Sequence, residues 1–184
     1  MSAHIGTEPG PDFSDPVGLL RACHERVERF AELALTIAGE LEEGAPPGEA
    51  VQRAAGRVLR YFDDAAPLHH ADEETDLLPR LRERLADADA REVPRLMASL
   101  SAEHAALAEH WAILRPLLAE IQAGHAMDPA AYRAAARPFR DLELDHLARE
   151  NRLLLPAAET HLTDDDRQAL GAAMARRRGT GVPP

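Results

Sequence analysis

The chain has little of what strands, disulfide scaffolds and membrane spans require. Its 184 residues include one cysteine, one tryptophan, two tyrosines and four phenylalanines, and 25 leucines stand against only six valines and four isoleucines. Few β-branched and aromatic residues count against sheet, so the core must be aliphatic and its elements helical. Cys23 has no partner for an intrachain disulfide, and the opening MSAHIGTEPGPDFSDP has neither the basic start nor the apolar stretch of a signal peptide. These absences predict a reducing, cytoplasmic setting. No apolar run approaches the roughly 20 residues of a membrane span. Basic residues are also scarce: 21 Lys+Arg against 32 Asp+Glu leave a formal charge of −11. Such a surface repels phosphate backbones and anionic headgroups, so neither nucleic acid nor membrane is an expected partner.

What is present fits one all-α domain. Gly- and Pro-rich residues 1–14 and 179–184 read as flexible ends, 15–161 as an up-down four-helix bundle, and 162–178 as a short extra C-terminal helix. Turns are expected at 42–48, 86–92 and 122–129. Asp15-Pro16 and Asp128-Pro129 have the form of an N-cap followed by proline at the first helical position, and Pro94 is expected to serve a third helix likewise. Thr163 with Asp164, Asp165 and Asp166 starts the last helix, a lid whose arginines 176, 177 and 178 would complement its negative end. Prolines 67, 79, 116, 138 and 156 fall inside periodic runs, which predicts kinks or early ends.

Helical periodicity assigns the inward faces. The first helix presents Val17, Leu20, His24, Val27, Ala31, Ala38 and Leu41; the second, Val58, Phe62, Ala65, His69, Glu73, Leu77 and Leu81. The third presents Leu96, Leu100, His104, Leu107, Trp111, Leu114, Leu118 and Ile121; the fourth, Ala135, Phe139, Leu142, His146, Glu150, Leu153 and Ala157. Histidine thus interrupts every stripe, and His69/Glu73 and His146/Glu150 each place imidazole and carboxylate one turn apart on a single face. Carboxylates among leucines are costly unless paired or metal-bound, and no arginine shares these stripes. Two bridging glutamates with two imidazoles terminating each ion is a way for a helical bundle to hold a dinuclear centre. The predicted metal ligands are therefore His24, His69, Glu73, His104, His146 and Glu150. Mixed N/O donors suit two iron ions, and also manganese or zinc. Unfilled coordination positions would take O2, NO or peroxide. No catalytic residue is singled out.

The order His, His-x3-Glu, His, His-x3-Glu divides into halves, and HHADEETDLLP (69–79) aligns without a gap on HLARENRLLLP (146–156). The alignment favours His69/Glu73 over the equally spaced His70/Glu74, which become outer-sphere or surface candidates. His24, His69-x3-Glu73 with its LLP, Glu103-His104 and His146-x3-Glu150 with its LLP resemble the hemerythrin-like proteins, or HHE cation-binding domains, over roughly residues 15–160. The resemblance implies a four-helix bundle around a non-haem di-iron centre that binds or reacts with O2 or related small molecules. Oxygen-carrying hemerythrins use a fifth histidine one turn after the third-helix ligand, where this chain has Ala108; His110 lies on another face. That departure shifts the expectation from reversible O2 carriage towards sensing, peroxide or NO chemistry, or iron handling, with a partner protein or electron donor left unidentified.

Overall fold

The computed structural model describes residues 12–85 and 92–180. The N-terminal segment up to residue 11, the end from 181 and most of the 86–92 turn lie outside the described residues. Five helices follow in order: α1 (Pro16–Ile37), α2 (49–84), α3 (Glu92–Gln122), α4 (129–161) and α5 (Asp164–Arg177). Among the described residues there is no strand, and no helix is long and apolar enough to cross a membrane. The chain is all-α.

The caps explain where the helices begin. The Asp15 carboxylate accepts from Gly18 N at 3.0 Å, Asp128 from Ala130 N at 2.9 Å, and Thr163 forms a reciprocal capping box with Asp166. α3 is described from Glu92, so Pro94 lies inside the helix rather than at its first position. At the α3 exit, Gly124 adopts φ +84°, a left-handed turn that a side chain would strain.

The internal prolines do not end α2 or α4. Pro67, Pro79 and Pro156 each come just after a π-helical turn, at Tyr61–Ala65, Asp72–Leu77 and Glu150–Leu154. The residue preceding each proline, Ala66, Leu78 or Leu155, donates its N–H five residues back instead of four. The widened turn accommodates a ring that would strike the carbonyl four residues earlier, so the rod continues. Two of these turns carry Glu73 and Glu150.

α1 packs against α2 and α4, α2 against α3, and α3 against α4. Two apolar clusters result. One gathers Val27, Ile37, Phe62, Leu118, Tyr132 and Phe139; the other gathers Leu20, Leu77, Leu81, Leu100, Leu154 and Leu170. Each helix of the bundle passes from one cluster to the other through its histidine, so the polar side chains form a layer across the middle of the core.

α5 closes the second cluster with Leu170 and Met174. Gly171 lies against the Phe13 carbonyl, where a Cβ would sit 1.9 Å from the oxygen. Arg84 Nε donates to Asp166 at 2.7 Å. The basic end of α5 does more than offset a helix dipole: Arg178 donates to the Met174 carbonyl at 3.1 Å, and also to Asp72 Oδ2 at 2.6 Å. Arg177 reaches both Asp72 and Asp76.

Candidate metal centre

All six predicted residues converge in that polar layer, and all are buried. Ligand atoms of His24, His69, Glu73 and Glu150 lie within 4.8 Å of one another, as do those of Glu73, His104, His146 and Glu150. The two carboxylates are common to both groups. Glu73 Oε1 is 3.5 Å from the Nε2 atoms of His24 and His69, whereas its Oε2 is 3.5 Å from His104 Nε2. Glu150 Oε2 is 3.3 Å from His24 Nε2 and 3.2 Å from His146 Nε2. Each carboxylate therefore spans the two halves.

The donor set fits cations. Two donors each about 2.1 Å from one ion stand about 3.0–3.4 Å apart at angles between 90° and tetrahedral, close to the separations seen here. Both nitrogens of His69, Nε2 of His104 and His146, Glu73 Oε2 and both oxygens of Glu150 are buried without a hydrogen-bond partner. Leaving such atoms orphaned costs on the order of 1–3 kcal/mol each, and a bound cation removes that cost for the one atom of each side chain that faces it.

Around this inner set, further side chains orient the rings. The Nδ1–H of His24 donates to Asn151 Oδ1 at 2.8 Å, that of His104 to Glu74 Oε1 at 2.7 Å, and that of His146 to Glu103 Oε2 at 3.1 Å. These bonds fix the tautomer that turns the Nε2 lone pair inward. Arg149 in turn holds Glu103 at 2.9 Å. Sequence spacing left the roles of Asn151 and Glu103 unassigned; their signal was adjacency to Glu150 and His104.

His69 and Glu73 face the centre, while Glu74 is exposed and acts on it through His104. His70 is a separate case. Its nitrogen comes within 4.8 Å of those of His104 and His146, but its ring stacks on His104 with centroids 4.0 Å apart and planes at 10°. A cation bound by lone pairs in the ring planes cannot lie in two parallel planes, so in this arrangement His70 is a wall over the His104 ring.

Burial holds His69 well below the ordinary histidine range, with the neighbouring imidazoles adding to the effect, and lowers His24 and His104. His70 is pushed down to about 2 by burial and by His104. At His146 burial acts in the same direction, but the contacts with Glu150 and Glu103 outweigh it and raise the group. Burial, reinforced by the Glu150 charge, drives Glu73 well above the usual carboxylate range. Neutral imidazoles are the form that binds metal, and cations would restore Glu73 to its ionised state.

Three further buried carboxyls, Asp72, Asp76 and Glu143, lie outside the predicted set; the first two are paired with arginines. Glu143 is 2% exposed, its Oε2 lacks a partner, and burial pushes its pKa up to about 7. The signal for Glu143 is its spacing of three residues to His146 and seven to Glu150; neighbouring Leu142, on the predicted stripe, is half-buried.

Residues 15–171 match the family model of the hemerythrin HHE cation binding domain. A Haemophilus influenzae protein, described only as uncharacterized, is 34% identical over 112 residues, covering 59% of this chain and 60% of the relative. The chain thus spans about 60% of that relative's length. With the matched region covering most of the chain and a buried His/Glu cluster at its middle, this is a metal-binding, hemerythrin-like protein that belongs to the hemerythrin HHE cation-binding domain family.

Proposed function

We propose that the cluster is a non-haem di-iron centre, with His24 and His69 terminating one ion, His104 and His146 the other, and Glu73 and Glu150 bridging both. The observation that carries this reading is the inward set of buried, unpartnered donors at cation-compatible separations. Four imidazoles and two carboxylates suit iron and accommodate manganese or zinc. When bound, the ions supply coordination positions at which O2, NO or peroxide binds or reacts. The chain's own part is to hold the rings of His24, His104 and His146 inward through Asn151, Glu74 and Glu103, and to keep bulk water out with the apolar clusters on either side. A cytoplasmic location fits the single cysteine. The test is to load the protein with Fe(II) anaerobically, expose portions to air, NO and hydrogen peroxide, and follow the near-ultraviolet and visible spectrum. A ligand-to-metal charge-transfer band with at least one is expected; no band with any would overturn the reading.

The clamp on α5 favours a second reading, a redox or metal sensor acting through a partner protein. Asp72 adjoins Glu73 in sequence and is tied to Arg177 and Arg178, so a change at the centre has a direct route to the C-terminal helix. Hydrogen exchange in α5 would then differ between oxidised and reduced protein, whereas unchanged exchange would discard a sensor working by this route.

A further inference from the structure

The two halves of the internal repeat tie down their bridging carboxylates in different ways. In the second half, Arg149 precedes Glu150 and pairs with Glu103 at 2.9 Å, so that turn is held by α3, inside the bundle. The residue at the matching place in the first half is Asp72, which precedes Glu73, begins the π-helical turn Asp72–Leu77 and is fully buried. Its partners, Arg177 and Arg178, come from α5, outside the repeat, and Arg177 also takes Asp76 in the same turn. The other ligand on α2 has no tie of its own. His24, His104 and His146 each have an Nδ1 partner, whereas neither nitrogen of His69 has one. His69 and Glu73 are thus kept in place through a turn that α5 covers.

We infer that the Asp72–Leu77 turn is the gate by which the centre loses and regains the ion terminated by His24 and His69, with Arg177 and Arg178 as the latch that keeps it shut. The inference rests on the dinuclear reading of the cluster. Its physical basis is the charge on Asp72. A buried carboxylate is tolerated beside two guanidinium groups and becomes strongly unfavourable once they are removed. When the end of α5 withdraws, Asp72 regains water only if the turn swings outward, and Glu73, the next residue, is carried off the ions with it. Opening also frees the adjoining His69. The first ion is then left with two donors, His24 and Glu150, whereas the second loses Glu73 alone and keeps His104, His146 and Glu150. One ion therefore exchanges while the other stays.

The experiment loads the full chain with zinc, which is redox-inert, mixes it with excess chromogenic chelator, and follows release while 15N spectra of labelled histidines show which rings have lost metal. In Arg177→Ala with Arg178→Ala, release of one ion should quicken by about a hundredfold and that of the other should not. His24 and His69 should reach free-imidazole shifts first, with His104 and His146 still metal-bound. Arg178→Gln, which leaves Arg177 on Asp72, should show the same selectivity at about tenfold, and serves if the double variant does not fold. Adding Asp72→Asn to the double variant should return release towards the wild-type rate, because no buried charge then drives the turn outward. Leu118→Ala, a cavity in the other apolar cluster, lowers overall stability without touching α5 and should leave the rate unchanged. Two zinc ions released from the arginine variants at the wild-type rate would overturn this inference and leave the metal centre standing. So would equal quickening of both ions, or the same quickening in Leu118→Ala. A wild-type protein that retains no zinc would overturn both readings.

Discussion

Replacing Glu73 by glutamine should change stability in opposite directions with and without metal. Glu73 is fully buried, touches His24, His69 and His104 at 3.5 Å, and leaves Oε2 without a hydrogen bond. In metal-free protein its charge has no compensating cation, and burial and Glu150 together resist ionisation. Glutamine keeps the shape and removes that penalty, so Glu73→Gln should stabilise the metal-free form by about 1–3 kcal/mol. At roughly 2–4 °C per kcal/mol for a chain of this size, the melting temperature should rise by roughly 2–12 °C in chelator. With free Fe(II) about a hundredfold above the dissociation constant, each site adds about 2.7 kcal/mol to the wild type, or about 5 kcal/mol for two. The variant, lacking one bridge, should lose most of that gain. Anaerobic calorimetry with chelator and then with Fe(II) reads both states. The order of the two melting temperatures should invert; the same order in both conditions would rule out Glu73 as a metal-binding carboxylate.

Three further outcomes follow from the geometry. Arg177→Ala with Arg178→Ala leaves the buried Asp72 unpaired and should cost about 3–5 kcal/mol, most of it recovered on adding Asp72→Asn; denaturation in a double-mutant cycle checks this. Gly171→Ala should unseat α5 from the Phe13 backbone and cost about 1–3 kcal/mol, visible as faster proteolysis of the C-terminal helix. Glu143 titrates near 7 in the fold against 4.5 for the free side chain, so folding favours its protonated form and stability falls as pH rises between those values. Relative to wild type, metal-free Glu143→Gln should therefore gain about 3 kcal/mol between pH 4 and pH 8, and a pH-independent difference would contradict the assignment.

Much of this was legible in the sequence because metal ligation and helical period impose the same spacing. His24 and His104 alone are ambiguous, but with two His-x3-Glu pairs and the internal repeat they define one layer, and the structure places all six side chains there. Less legible were features set by backbone adjustment or distant contact. The π turns before Pro67, Pro79 and Pro156 shift the register, so Ala66 rather than Ala65 is the buried neighbour, and α2 and α4 run on through these prolines rather than ending at them. The pairing of Asp72 with Arg177 and Arg178 spans more than a hundred residues and has no local signature. Glu143 was hidden by Leu142, since adjacent positions compete for the edge of an apolar stripe.

The central claim, that four histidines and two glutamates hold a dinuclear centre, is most directly tested by metal stoichiometry. Metal-free protein would be titrated anaerobically with Fe(II), desalted, and assayed for iron and protein. The dinuclear assignment predicts two irons per chain in the wild type and a marked loss in both His69→Ala and Glu150→Ala. No retained iron, or two irons retained undiminished in both variants, would contradict it.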